Sequence, residues 1–213
     1  CTAYLHLNER VLETLRATET QIRPLQRRGT KVLLSLLGNH EGAGFANFPI
    51  RHDADRFAAQ VARVVHRCHL DGVDLDDEYS EYGKNGTGQP NEDSFVWFVR
   101  ALRRHLGPHK LLTLYSIGPS VDRTVSAVGN ASDDLDYAWN PWYGTYQEPS
   151  VPGMPRSRLG AAAVDWGHTS TEMVQTMASR TIRDGYGVFM TYDLRMSTNP
   201  SLVQAMTTAL EKR

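Results

Sequence analysis

An α/β fold built on a parallel sheet is what this sequence predicts, and three features predict it. Apolar, strand-like runs alternate with amphipathic helical stretches along most of the chain, and such alternation feeds a parallel sheet through right-handed crossovers. Polar and aromatic residues gather at the C-terminal ends of the strands: Asn39-His40, Glu78-Tyr79, Asn140-Pro141-Trp142-Tyr143 and Tyr192-Asp193. No Gly-rich phosphate loop follows any strand, which argues against a doubly wound nucleotide-binding sheet. Residues converging from many strand ends are how a (β/α)8 barrel builds a site, so the barrel is the favoured arrangement.

Each element has its own warrant. From Glu9 to about Arg28 the chain is charged and helix-favouring, with Val11, Leu12 and Leu15 on one face and Pro24 breaking it near the end. Lys31–Gly38 is a near-continuous apolar run closed by Gly, the pattern of a strand covered on both faces. Asp53–Leu70 is an amphipathic helix whose apolar face (Phe57, Val61, Val64, Val65) ends in Cys68, a thiol expected to act as a small hydrophobe. Gly72–Glu78 is an acidic strand, and a loop rich in Gly, Asn and Pro follows it. A helix over about Glu92–Leu106 leads to a strand at Leu111–Gly118. Short strands are expected at Asp136–Pro141 and Ala162–Gly167, a helix from about Ser170 to Asp184, a strand at Val188–Asp193 and a closing helix at Ser201–Lys212 after Pro200. That is six strands, against the eight of a closed barrel.

At 213 residues the chain is long enough for one sizeable core, and one domain over 1–213 is expected. The net charge of −1 gives no electrostatic case for nucleic acid or an anionic membrane. No apolar run approaches the roughly 20 residues of a bilayer-spanning helix. Two cysteines do not make a disulfide framework, and Cys1 reads as a lipid-modified mature terminus or, better, as the start of a truncated chain. The eight His show no ligand spacing with Cys, Asp or Glu, so neither a metal nor another cofactor is implied.

Residues 71–78, Asp-Gly-Val-Asp-Leu-Asp-Asp-Glu, carry the chemistry. In a strand, alternate side chains share a face, so Asp74, Asp76 and Glu78 form a column while Val73 and Leu75 point the other way. Three acids at that spacing repel one another, and one of them retains a proton near neutral pH. A protonated carboxyl beside an ionised neighbour is what general acid catalysis of glycoside cleavage uses. A solvated acidic loop or a cation site is the plainer alternative. An EF-hand is disfavoured, because its loop needs Gly at the sixth position and Glu at the twelfth.

The octapeptide matches, without a gap, the D-G-x-D-x-D-x-E signature of family-18 glycoside hydrolases. The stretches KVLLSLLGNHEGAGFANFP (31–49), DGVDLDDEYSEYGKNGTGQPN (71–91), DYAWNPWYGTY (136–146) and GYGVFMTYDL (185–194) resemble the endoglycosidase H branch of that family. Leu37 stands where the wider family has the first Gly of S-x-G-G, which fits this branch better than chitinases. The resemblance implies a (β/α)8 barrel, truncated at the N-terminus: KVLLSLLG corresponds to its third strand, so the first two would precede residue 1.

The same resemblance implies endo-β-N-acetylglucosaminidase activity on the chitobiose core of N-linked, oligomannose-type glycans, with the substrate's own acetamido group as nucleophile. Glu78 is then the general acid and later base, Asp76 holds the acetamido N–H, and Asp74 tunes Asp76. Tyr143 matches the family tyrosine that bonds the acetamido oxygen. Asn140, Tyr192, Tyr115, His40, Asn39 and Tyr79 are the expected substrate contacts. Tyr115 is equally a core residue by its pattern, and His40 is equally a surface one. Asp71 and Asp77 lie outside the column and are read as structural. The partner is an N-linked glycan or glycoprotein, and a secreted monomer is expected. An inactive glycan-binding module and, less favoured, a chitinase are the competing readings.

Overall fold

The computed structural model describes residues 5–211, so Cys1 lies outside the described residues. Two compact units are present. The first runs through Thr113 and adds Gly118–Leu135; the second comprises Leu114–Ile117 and the chain from Asp136 onward.

In the first unit, helix α1 (Glu9–Arg16) starts at Asn8, whose side chain accepts the Val11 N–H. The predicted long helix is interrupted here: a π-helical turn at Thr18–Ile22 follows, and α2 (Arg23–Gln26) is short, with Pro24 in its first turn. Proline is tolerated there because that N–H has no helical partner. Strand β1 (Leu33–Leu37) pairs in parallel with β2 (Gly72–Asp76), placing Ser35 opposite Asp74 and Leu37 opposite Asp76. The expected two-sided burial of β1 is corrected: Leu34 and Leu36 are buried, whereas Ser35 and Leu37 are exposed. An unbroken apolar run does not distinguish one covered face from two, because Leu occupies either.

Helices α3 (Arg51–Arg67) and α4 (Ser94–Leu106) pack on each other through the apolar faces read from the sequence. Phe45 and Phe48, from the loop after β1, join Phe57 of α3 and Phe98 of α4 in one ring cluster with centroids 5.3–5.8 Å apart. Each fully buried Phe stabilises by about 1.5–3 kcal/mol, so this cluster fixes the loop that borders the acidic strand. Strand β3 (Leu111–Tyr115) neighbours β2 and crosses the boundary between the units. A hairpin, β4 (Val125–Ser126) with β5 (Gly129–Asn130), was not foreseen; two residues per strand leave no alternation to read.

In the second unit β6 (Tyr137–Trp139) lies between β3 and β7 (Leu159–Gly160), and β6 and β7 are parallel. Strands β8 (Ala163–Asp165) and β9 (Met190–Tyr192) form a separate parallel pair. Helices α5 (Thr171–Arg183) and α6 (Pro200–Glu211) pack together, and Val174, Met177 and Leu202 form a core with Ala162, Val164 and Trp166. The sequence reading expected an incomplete (β/α)8 barrel, and among the described residues no sheet closes on itself: each has two free ends. Besides the β4–β5 hairpin, strand β7 was missing from the six-strand count, being only two residues long.

Candidate active site

Register creates the acidic column. Because β2 pairs residue by residue with β1, Asp74 and Asp76 share one face, and Val73 and Leu75, both fully buried, occupy the other. Thr113 on β3 donates its hydroxyl to Asp74 Oδ1 at 2.5 Å. Burial pushes the Asp74 carboxyl up to about 7, against the Thr113 hydrogen bond and with help from the Asp76 charge. Burial likewise raises Asp76 to about 7, and the charges of Glu78 and Asp77 add to it. Two adjacent acids poised there hold a shared proton near neutral pH.

Asp76 Oδ1 is buried and accepts no hydrogen bond among the described residues. An unpaired buried acceptor costs roughly 1–3 kcal/mol, so it marks a place where a donor from elsewhere would be welcome.

Glu78 follows the strand, and its backbone is held in place. Its carbonyl oxygen accepts the Gly38 N–H at 2.9 Å, and the Tyr79 carbonyl accepts the His40 N–H at 2.9 Å. A methyl group on Gly38 would overlap the Glu78 carbonyl, so this position at the end of β1 admits only glycine. His40 and Tyr79 both adopt the left-handed conformation, at φ 65° and 58°, and their exposed rings lie 5.1 Å apart. Left-handed backbone at two non-glycine residues stores strain of the kind that clusters at functional sites. Asn39, also exposed, spends its side-chain oxygen on the Glu41 N–H.

The two acids outside the column are structural in different ways. Asp71 accepts hydrogen bonds from Val32 N–H and the Gln26 amide, which join the backbone before β1 to the start of β2. Burial opposes its charge, but those bonds outweigh it and hold the carboxyl below the usual range. Asp77 is buried and accepts from Tyr82 and Ser120.

The second unit holds the aromatic candidates. Tyr143 and Tyr192 stack at 4.5 Å with rings 20° apart, each more than a third exposed. Tyr115 meets Trp139 edge to face at 5.6 Å and is half-buried, so the packing part of its reading is the one this geometry favours. Asn140 is placed differently from expectation. Its carboxamide is 2% exposed, donates to Thr145 Oγ1 and the Ala161 carbonyl, and accepts the Trp142 N–H. It shapes the turn that presents Trp142 and Tyr143.

Two contacts of the acidic strand went unread in the sequence. Thr113 carried one signal, a small hydroxyl residue between leucines. Tyr82 as a partner of Asp77 carried none, because their approach is set by the path of the loop. Trp142, read among the strand-end residues, is 54% exposed on its turn. A groove of about 520 Å³ lined by Leu7, Leu12, Leu15, Val64 and Cys68 contains none of the expected site residues. Cys68 is a free, half-buried thiol there. Among the described residues no cluster of metal-ligating side chains occurs, and no helix is long and apolar enough to cross a membrane.

The chain is thus a parallel α/β protein with an in-phase pair of acids, Asp74 and Asp76, on one strand and Glu78 just beyond it. The chain belongs to glycosyl hydrolases family 18, whose model matches residues 3–197. It is 53% identical over 208 residues to an endo-beta-N-acetylglucosaminidase of Flavobacterium sp. (strain SK1022), covering 98% of this chain and 66% of that protein. Endo-beta-N-acetylglucosaminidase F1 of Elizabethkingia meningoseptica is 30% identical over 191 residues, covering 87% of this chain and 55% of that one. The chain thus spans less than two thirds of the length of these relatives. The crystal structure of Bacteroides thetaiotamicron EndoBT-3987 with Man5GlcNAc product matches with TM-score 0.77 and 27% identity, over 98% of this chain and 48% of the other. A chitinase from Rhizomucor miehei shares the fold with TM-score 0.69 at 15% identity, over 96% of this chain and 88% of the other.

Proposed function

We propose that this chain is an endo-β-N-acetylglucosaminidase that hydrolyses the GlcNAc-β1,4-GlcNAc bond in the core of oligomannose-type N-linked glycans. Its strands are read as those of a (β/α)8-type catalytic domain. N-linked glycans are displayed on secreted and surface proteins, so the proposed place of action is extracellular and the proposed state a monomer. The relatives named as endo-beta-N-acetylglucosaminidases, and EndoBT-3987 solved with Man5GlcNAc, support the substrate class.

The proposed reaction is substrate-assisted. The Glu78 carboxyl proton passes to the glycosidic oxygen as the C1–O bond breaks and the GlcNAc left on the protein departs. The acetamido carbonyl oxygen of the other GlcNAc attacks C1 and forms an oxazolinium ring. Asp76 accepts the acetamido N–H, whose acidity rises as that ring forms. Water then attacks C1, Glu78 takes its proton, and the configuration at C1 is retained. Asp74, bonded to Thr113, shares the proton that Asp76 must shed or hold. Tyr143, stacked on Tyr192, is assigned to sugar contact by its match to the family tyrosine; His40 and Tyr79 are assigned to the outer sugars.

The observation that carries this reading is Asp76 Oδ1, a buried acceptor without a donor among the described residues, on a carboxyl already raised by burial. Incubation with an oligomannose glycoprotein, followed by mass spectrometry, tests it. Release of the glycan with one GlcNAc left on Asn is expected. An intact glycan that is nevertheless bound would replace this reading by the binding-module one, and cleavage of chitin oligomers alone by the chitinase one.

A further inference from the structure

The signature D-G-x-D-x-D-x-E leaves open the position occupied here by Asp77, the residue immediately before Glu78. Asp77 points away from the acid column and is 3% exposed. Its carboxylate is nonetheless well occupied. Oδ1 accepts the Tyr82 hydroxyl at 2.5 Å, while Oδ2 accepts both the backbone N–H of Ser120 at 2.9 Å and its hydroxyl at 2.6 Å.

Those donors come from two loops, and the contacts reach a third. Tyr82 belongs to the loop after β2, and Ser120, fully buried, to the loop after β3. The Tyr82 oxygen in turn accepts the Ala46 N–H, from the loop after β1, at 3.2 Å. The loop after β3 also presses on the Asp77 backbone, since a side chain on Gly118, at φ 75°, would overlap the Asp77 carbonyl oxygen. Three loops at strand ends therefore meet at one buried carboxylate whose own backbone continues into Glu78.

We propose that Asp77 is a positioning residue: with Tyr82 and Ser120 it ties the loops after β1, β2 and β3 to the strand end that aims Glu78. The burial of so many bonds around one group favours a single geometry over several. A glycosidase needs that, because a misplacement of about 1 Å at the reacting group costs about 100-fold in rate. The Asp77 charge has a second consequence, since it contributes to holding the neighbouring Asp76 carboxyl up. This inference rests on the proposed hydrolase function for its catalytic half only; the loop coupling stands or falls separately.

The test uses Asp77→Asn, Tyr82→Phe and the double variant in the full chain, with far-UV circular dichroism to confirm folding. Amide exchange is read one bond away from each substitution, at Ala46 in Asp77→Asn and at Ser120 in Tyr82→Phe. Exchange at both is expected to speed by about tenfold or more. On an oligomannose glycopeptide, kcat should fall about tenfold or more for Asp77→Asn and about threefold for Tyr82→Phe, with KM within about twofold. The double variant should lose little beyond Asp77→Asn alone, because both act through one bond. Unchanged exchange at Ala46 and Ser120, or a loss carried in KM with kcat retained, would overturn the proposal. Independent, multiplying losses would overturn it too. Should Asp77→Asn fail to fold, Tyr82→Phe decides by the same two readouts. Should the unsubstituted chain cleave nothing, the hydrolase reading falls, and the exchange result alone decides the coupling.

Discussion

The acidic strand of the first unit and the aromatic strand ends of the second present their side chains by different means. On β2 the period of two places Asp74 and Asp76 on one face, while burial raises both carboxyls to about 7, helped at Asp74 by the Asp76 charge and at Asp76 by the charges of Glu78 and Asp77. In the second unit Tyr143 sits on a turn and Tyr192 ends a strand, both well exposed, and Asn140 holds the turn through its side-chain hydrogen bonds. A strand aims a side chain by its pleat; a turn aims one only through whatever fixes the turn. In the proposed reaction the proton sharing is accordingly assigned to the strand, and sugar stacking, which tolerates small displacements, to the turn.

The largest effect should come from the acid column. Replacing Glu78 by Gln removes the transferable proton and should lower kcat by about 10³-fold or more while the glycan still binds. Asp76→Asn should cost about 100-fold by the same measurement. If Tyr143→Ala proved as damaging as Glu78→Gln, the division of labour between strand and turn would be wrong.

Asn140→Ala breaks the second region from within. It leaves buried partners at Ala161 and Trp142 unpaired and should destabilise the protein by about 1–3 kcal/mol in urea unfolding. A loss below about 0.5 kcal/mol would show that the turn is held by something else.

Stability should also depend on pH in a way the first unit sets. Asp74 and Asp76 bind protons more tightly folded than their ordinary 3.8. Between about pH 4 and pH 7 the folded chain thus keeps protons that the unfolded chain has released, and stability falls as pH rises through that window. Allowing for the coupling of the pair and the partial exposure of Asp76, the fall should be on the order of 2 kcal/mol. Asp74→Asn should flatten the profile, with melting followed at pH 4.5 and pH 8. Asp71, whose carboxyl is lowered, has the opposite sign and costs stability only as pH drops below its usual range. The smallest effect belongs to Tyr192→Phe, which keeps the ring on Tyr143 and should change KM by no more than about twofold.

The same contrast explains what could be read from the sequence. The acid column was legible because period two and parallel register leave only one way to place Asp74 and Asp76. Helices α3, α4 and α5 were legible because their apolar positions recur with helical spacing. Strand β7, two residues long, has too few positions for alternation to show. The exposed face of β1 was hidden because leucine fits either face. The bonds by which Asn140 holds its turn were not legible, because a polar residue at a strand end looks the same whether it faces a ligand or folds back on its own turn. Tyr82 and Ser120 meet Asp77 through loops whose paths are set by contacts distant in sequence.

One measurement bears most directly on the carboxylate left without a donor. A thiazoline derived from N-acetylglucosamine mimics the oxazolinium ring, and its affinity can be taken by calorimetry for the unsubstituted protein and for Asp76→Asn. The unsubstituted protein should bind it, and Asp76→Asn should bind at least about tenfold more weakly, the worth of a charge-assisted hydrogen bond. Equal affinity in the two proteins would contradict the role given to Asp76 and, with it, the substrate-assisted reaction.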